Sequence, residues 1–394
     1  MNNLFHIEVG YKQKNFAGQR ICGDVFVFQK IKEENRTILV LSDGLGHGIK
    51  ANVLATITAT MALNFTKEHK TAYRIAEIIM NTLPICNERQ ISYSTFTIID
   101  IEHTGKTTII EYDNPQAIIL HSNKKLSINW DTLPLVSKKH KNKELRYCYF
   151  IAKKEDRIII CSDGVVQSGM GSNKLPTGWG KEELENYITY VLTNNLDISA
   201  YNLATKIINK AIQNDNYTPK DDITCAVIYF REPRKILICT GPPYDKEKDL
   251  ELAKIFENFQ GKKIISGATT VEIIARELKK EIKDSTEFND PELPPISFME
   301  GADLITEGTL TLTKVFNILN EYNNDTTLGK GPADLIVKFL LESDEITFVV
   351  GTSINIYHHD PNLPIELEAR KTLVKRITNV LETKFLKEVL IKFI

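Results

Sequence analysis

The alternation of apolar and polar positions divides this chain in two. Up to about residue 230 the pattern is mainly strand-like. Residues 4–9 and 24–30 alternate with period two, and 37–42 form a continuous apolar run typical of a strand buried on both faces. Helical spacing takes over at 49–66 and 71–82, with Val53 and Ile57 on the face expected to meet the core. Strands are predicted at 93–101, 107–112, 117–121 and 145–152, with turns at Thr104-Gly105-Lys106 and Asn114-Pro115 between them. The apolar run 157–161, helices near 181–193 and 198–213, and a strand at 223–230 complete this half.

After Arg231-Glu232-Pro233-Arg234 the pattern changes to strand–loop–helix units. Strands at 236–239, 263–265 and 303–305 lead into helices near 247–259, 271–282 and 311–321; a strand at 346–350 precedes a long amphipathic helix at about 364–383. Such alternation predicts a mainly parallel sheet covered on both faces. The reading is therefore α/β, with domains at 1–231 and 235–394, the second Rossmann-like.

Composition fits that reading and narrows the partners. The 394 residues are 42% hydrophobic and 25% charged, ordinary for a globular protein. A net charge of −2 supplies no basic field, which argues against nucleic acid as a partner. The lysine-rich stretch 137–143 reads as a solvated loop. Six cysteines, none in C-x-x-C spacing and several in apolar strands, predict reduced, buried thiols and a cytoplasmic location. No apolar run reaches the roughly 18 residues of a membrane span, and the first 15 residues lack a signal-peptide core.

The chemistry is concentrated in aspartates at strand ends. Ser42-Asp43-Gly44-Leu45-Gly46-His47-Gly48 joins an apolar strand to a helix, and Ser162-Asp163-Gly164 repeats its opening; Asp24 and Asp221-Asp222 mark two further strand ends. One such Asp is ordinarily a turn former. Four sites in one β-rich domain are a different matter, because clustered carboxylates repel unless a cation compensates them. An all-oxygen donor set suits two Mn2+ or Mg2+ ions, and a pair of ions serves phosphoryl transfer.

As an ordered set, Gly23-Asp24, Ser42 to Gly48, Ser162-Asp163-Gly164 and Asp221-Asp222-Ile223-Thr224 resemble the motifs of the metal-dependent (protein phosphatase 2C-like) protein phosphatase family. The bacterial branch typified by stage II sporulation protein E and related sigma-factor regulators is the nearest, over about residues 1–230. The resemblance implies an α-β-β-α sandwich with a dimetal centre at one end. By motif position Asp43 would bridge both metals, the Gly44 carbonyl would bind one, Asp163 and Asp221 would hold the other, and Asp24 would support the site through water. Neighbouring strand residues point to opposite sides, so Asp221 is favoured as the direct ligand and Asp222 as its support. The implied reaction is in-line hydrolysis of phosphoserine or phosphothreonine by hydroxide held on the ions, with an anti-sigma-factor antagonist as the analogous substrate.

This chain departs from the eukaryotic pattern in two ways. Leu45 stands where many eukaryotic members have a His after Asp-Gly, so His47 is read as helix-entry packing. The phosphate-contacting Arg also has no match; Arg20, Lys12 and Lys14 are the basic residues available. The resemblance also implies that the helices at 49–66 and 71–90 act as a regulatory switch on Asp43 and Gly44. An inactive phosphatase-fold signalling module is the alternative reading. A histidine kinase-like ATP site, suggested by Asp43-Gly44-Leu45-Gly46, would need an upstream Asn-bearing helix, and residues 1–42 read as strands.

In the second half, strand ends carry Gly with Thr or Ser. Ser266-Gly267-Ala268-Thr269-Thr270 is the strongest, and it is weakly similar to the helix start of bacterial phosphosugar-sensing domains. Gly267, Thr269 and Thr270 are read as contacts for a small anionic ligand, with simple N-capping by the two threonines left open. Pro332 reads as a first-turn proline after Gly329-Lys330-Gly331, and His358-His359-Asp360 as a loop. Metabolite sensing, substrate docking or homodimer formation would each suit this domain.

Overall fold

The computed structural model describes residues 5–31, 33–82, 94–134, 144–285, 287–323, 326–353, 363–385 and 387–394. The lysine-rich stretch, Cys86, His358-His359-Asp360 and the 83–90 end of the second expected helix lie outside them. The chain separates into two units, Met1–Glu232 and Pro233–Ile394.

The first unit contains β1 (His6–Lys14), β2 (Asp24–Ile31), β3 (Arg36–Gly44), α1 (Ile49–Lys67), α2 (Ala72–Thr82), β4 (Ser94–Ile101), β5 (Lys106–Tyr112), β6 (Ile118–His121), β7 (Lys124–Lys125), β8 (Asp131–Pro134), β9 (Glu144–Ile151), β10 (Asp156–Cys161), α3 (Asp163–Val166), α4 (Lys181–Asn194), α5 (Ala200–Asn214) and β11 (Ile223–Arg231). Its strands form two antiparallel sheets, β1-β11-β10-β6-β7 and β2-β3-β4-β5-β9-β8.

Strand periodicity explains the layering. Leu39 and Leu41 of β3 pack with Ile158 and Ile160 of β10 and with Ala226 and Ile228 of β11, filling the space between the sheets. Val40, one residue out of phase, packs with Ala59 and Ala62 of α1. Ile159 and Val227 pack with α4 and α5. Both faces of each central strand are therefore buried, hence their unbroken apolar runs. Each fully buried Ile or Leu contributes roughly 1.5–3 kcal/mol. The layers run α-β-β-α, as expected.

One expectation about α1 fails. Val53 and Ile57 do not face the core; they are 50% and 44% exposed. The buried face is Ala51, Ala55, Thr58, Ala59, Ala62 and Thr66. Small residues let the helix axis lie close to the sheet, so the larger aliphatic residues turn outward. Where β3 ends, a Cβ on Gly44 would lie 2.0 Å from the carbonyl oxygen of Ala51, so only glycine fits.

The second unit contains β12 (Lys235–Thr240), α6 (Asp249–Asn258), β13 (Lys262–Ser266), α7 (Ala268–Leu278), β14 (Lys283–Asp284), β15 (Ser297–Phe298), β16 (Leu304–Thr306), α8 (Thr309–Glu321), α9 (Pro332–Glu342), β17 (Glu345–Val350), α10 (Leu363–Thr383) and β18 (Glu388–Phe393). Five strands pair in parallel in the order β16-β13-β12-β17-β18, so counted along the chain they run 3-2-1-4-5. This is the strand order of doubly wound nucleotide-binding folds. One face packs on α6 and α7, the other on α8, α9 and α10. The strand β18, absent from the sequence reading, extends one edge. Pro332 opens α9 as expected. The helix α7 begins at Ala268, three residues earlier than expected, so Thr269 and Thr270 lie inside its first turn and Gly267 is the N-cap, with no side-chain cap. The simple N-cap reading of the two threonines is thereby removed.

Candidate metal centre

Strand phase directs the acidic residues to one place. Asp24 opens β2 and Asp43 stands near the end of β3, and the two are register partners. Asp43 continues the phase of Leu39 and Leu41, toward the space between the sheets. From the other sheet, Asp163 follows β10 as the first residue of α3, and Asp221 and Asp222 immediately precede β11. Glycine again permits the approach: a Cβ on Gly164 would lie 2.2 Å from the Asp222 carbonyl oxygen. Asp43, Asp163 and Asp221 line one cavity of about 570 Å³.

The carboxylates do not share one environment. Asp24 is 2% exposed; its Oδ2 accepts from Thr224 Oγ1 at 2.6 Å, while its Oδ1 is buried without a hydrogen-bond partner. Asp222 is equally buried. Its Oδ1 accepts from the Phe16 amide at 3.0 Å and its Oδ2 has no partner. A Cβ on Gly23 would press to 2.7 Å from that Oδ2. Asp221 is half-buried on the cavity wall, Asp222 is buried, and both precede the strand. The Asp163 carboxylate accepts from Gln167 Nε2 at 2.8 Å. The Asp43 carbonyl accepts from Ser94 Oγ at 2.9 Å, and Ser94 Oγ lies 2.6 Å from Ser42 Oγ. These contacts fix the backbone of β3 where it delivers Asp43.

Repulsion and burial raise the proton affinity of the cluster. Burial, followed by the charges of Asp24 and Asp163, pushes the Asp43 carboxyl well above its usual range. Burial lifts Asp24 to about 7 against the hydrogen bond from Thr224. Burial and the Asp163 charge lift Asp221 to about 6. The Asp163 carboxylate stands close enough to Asp43 to raise its proton affinity, and a proton taken up there relieves the same repulsion that a cation would. As the side chains stand, no group of three or more His, Cys, Asp or Glu among the described residues is arranged to hold one ion. The donor chemistry does suit a hard cation: the oxygens are crowded and partly unpartnered, and no thiol or imidazole stands among these donors.

Sequence reasoning missed other cavity residues. Phe16, Thr95, Asn114, Gln167 and Lys220 line it, and nothing in their local sequence marks them. Lys220 directly precedes Asp221 and anchors its ammonium on the Met170 carbonyl at 2.9 Å. Lys12, Lys14 and Arg20 are not among the lining residues. His47 does line the cavity, stacked on Phe16 with ring centroids 4.4 Å apart. Packing at the helix entry was expected of it, and it does this at the cavity wall. Of the expected thiols, Cys148, Cys161, Cys225 and Cys239 are buried. No helix among the described residues is long and apolar enough to cross a membrane.

With this geometry in hand, comparison with known proteins is informative. The model of one protein family, stage II sporulation protein E (SpoIIE), matches residues 33–231. Among solved structures, the chain is similar to the phosphatase domain of SpoIIE from Bacillus subtilis, at 14% identity and a TM-score of 0.43, covering 59% of this chain and 95% of that one. It is similar to the RsbU and RsbW domains of a Mycobacterium tuberculosis protein at 14% identity and 0.46, covering 64% and 67%. RsbX in complex with magnesium matches at 18% identity and 0.39, covering 57% and 96%. No curated protein matches.

Proposed function

Because the chain belongs to the stage II sporulation protein E family over residues 33–231, we propose that residues 1–231 are a metal-dependent protein phosphatase domain. It removes phosphate from phosphoserine or phosphothreonine on a partner protein in bacterial signalling, an anti-sigma-factor antagonist being the analogous substrate. The observation that carries this reading is the meeting of Asp43, Asp163 and Asp221, drawn from both sheets, on one cavity wall.

Asp43, the Gly44 carbonyl, Asp163 and Asp221 are the residues that hold two Mn2+ or Mg2+ ions. Asp24 and Asp222 support them from beneath, each with one carboxylate oxygen still unpartnered. When bound, such a pair supplies Lewis acidity at the phosphoryl group and lowers the pKa of water. Ser94 and Thr224 keep Asp43 and Asp24 in position through the hydrogen bonds given above. Lys220, on the cavity wall beside Asp221, meets the dianionic phosphate. Residues 235–394 form a separate ligand-sensing or docking domain.

Hydrolysis of p-nitrophenyl phosphate and of a phosphoserine peptide, with and without Mn2+, tests the reading. Mn2+-dependent turnover that Asp43→Asn abolishes is the expected result. A well-folded protein that binds Mn2+ yet turns over neither substrate would leave the inactive signalling module as the better reading.

A further inference from the structure

The second unit holds a site that the phosphatase reading does not use. The helices α7 and α8 start at the carboxyl ends of neighbouring parallel strands, β13 and β16. Both have glycine N-caps, Gly267 and Gly308. Neither has a side-chain cap or an acidic residue in its first turn. In α7 the Thr270 amide turns back onto the Gly267 carbonyl at 3.1 Å; the earlier amides of each helix lack intrahelical acceptors, and each N-terminus carries about half a positive charge. The two starts lie against each other: a Cβ on Gly308 would stand 3.4 Å from Gly267 Cα.

Two buried hydroxyls complete the picture. Thr270 is 1% exposed and Thr311 0%; each is the third residue of its helix, and neither Oγ1 has a hydrogen-bond partner. Gly267 has φ of 126°, and an atom at its Cβ position would fit without clash, in van der Waals contact with Thr270 Oγ1 at 3.4 Å and Gly308 Cα at 3.8 Å. The Thr270 hydroxyl thus faces a small space at the mouth of α7, where an added oxygen could accept its proton. A carboxylate already stands at the start of α8, where Glu307 Oε2 accepts from the Thr311 amide at 3.4 Å. The Glu307 carbonyl is itself held by Ser266 Oγ and Thr306 Oγ1, both at 2.9 Å.

We propose that the paired N-termini of α7 and α8 form a binding site for the phosphate group of a small molecule, with Gly267, Thr269 and Thr270 as its floor. One phosphate oxygen takes the space over Gly267 and accepts from Thr270 Oγ1. The first-turn amides of α7, including that of Thr269, take a second. Glycine at both caps keeps the approach clear of side chains. The assignment is independent of the reading of residues 1–231.

Hydrogen–deuterium exchange of the full chain with added inorganic phosphate tests it, with EDTA present to exclude metal-held phosphate. Saturable protection is expected in peptides covering residues 266–271 and 307–312. Thr270→Val fills the same space and removes an unpartnered hydroxyl, so it keeps or raises the unfolding temperature. It should weaken phosphate binding by at least about tenfold, and Thr270→Ser should retain it. Absence of protection in the wild type, equal protection in Thr270→Val, or equal loss in Thr270→Ser would each overturn the assignment.

Discussion

Both units place their candidate sites at strand ends, and the two proposals ask for opposite charges. At the first site the unpartnered buried atoms are acceptors: carboxylate oxygens of Asp24 and Asp222, which accompany Asp43, Asp163 and Asp221. At the second they are the hydroxyls of Thr270 and Thr311, beside two helix starts whose N-cap residues are glycines. Antiparallel strands reach the first site from both sheets and deliver side chains from positions far apart in sequence. Parallel strands reach the second, each passing straight into a helix, so backbone amides do much of the work. Glycine serves both, removing a Cβ from Gly44 and Gly164 in one and from Gly267 and Gly308 in the other.

The contrast breaks most readily at Asp43. Asp43→Asn is expected to lower Mn2+-dependent turnover by roughly a thousandfold or more, while phosphate protection around residues 266–271 stays unchanged. A common loss of both responses would show that the two sites are not separate. Thr224→Val should come next. It removes the hydroxyl that holds Asp24 and is expected to weaken Mn2+ binding roughly tenfold to a hundredfold, read by calorimetry.

Protons sharpen the same contrast. Without added metal, Asp24 and Asp221 have native values of about 7 and about 6, against the ordinary 3.8 of the unfolded chain. Between those values the native state binds more protons than the unfolded one. The stability of the first unit should therefore fall as pH rises from about 4 to about 7. Chemical denaturation across that range measures the fall, and saturating Mn2+ at the upper end should reverse it. A slope of opposite sign would remove the electrostatic basis of the metal centre. The smallest effect is expected at Lys220, whose side chain is largely exposed. Lys220→Met should raise KM for a phosphopeptide severalfold at low ionic strength, shrinking with added salt, with little change in kcat.

Much of the first site was legible because it depends on strand phase. An aspartate that closes an apolar run such as 37–42 must leave the sheet at a strand end, and four of them in a β-rich stretch imply a meeting. The layers were legible for the same reason, since only strands buried on both faces read as unbroken apolar runs. What was hidden depends on three-dimensional fit. Val53 and Ile57 seemed to mark the core face of α1, but alanine and threonine lie there because the helix packs so near Gly44. Lys220 and Phe16 reach the cavity through loops with no periodicity to betray them. The start of α7 was misjudged because glycine at φ of 126° ends the strand and caps the helix in one step. The strand β18 is short and half-exposed, which erases the apolar contrast that marks interior strands.

The strand β11 lies between β1 and β10, and its nine residues run opposite the whole of β1. The first and last strands of the unit are therefore zipped together, and the last strand made on the ribosome is the one introduced by Asp221 and Asp222. A nascent chain stopped before residue 220 has Asp24, Asp43 and Asp163 but no central strand joining the halves of its first sheet. Closing that long loop is slow compared with forming local hairpins. On the proposed metal-centre reading, tight uptake of a divalent ion would report that synthesis of the unit is finished and its two ends have found each other.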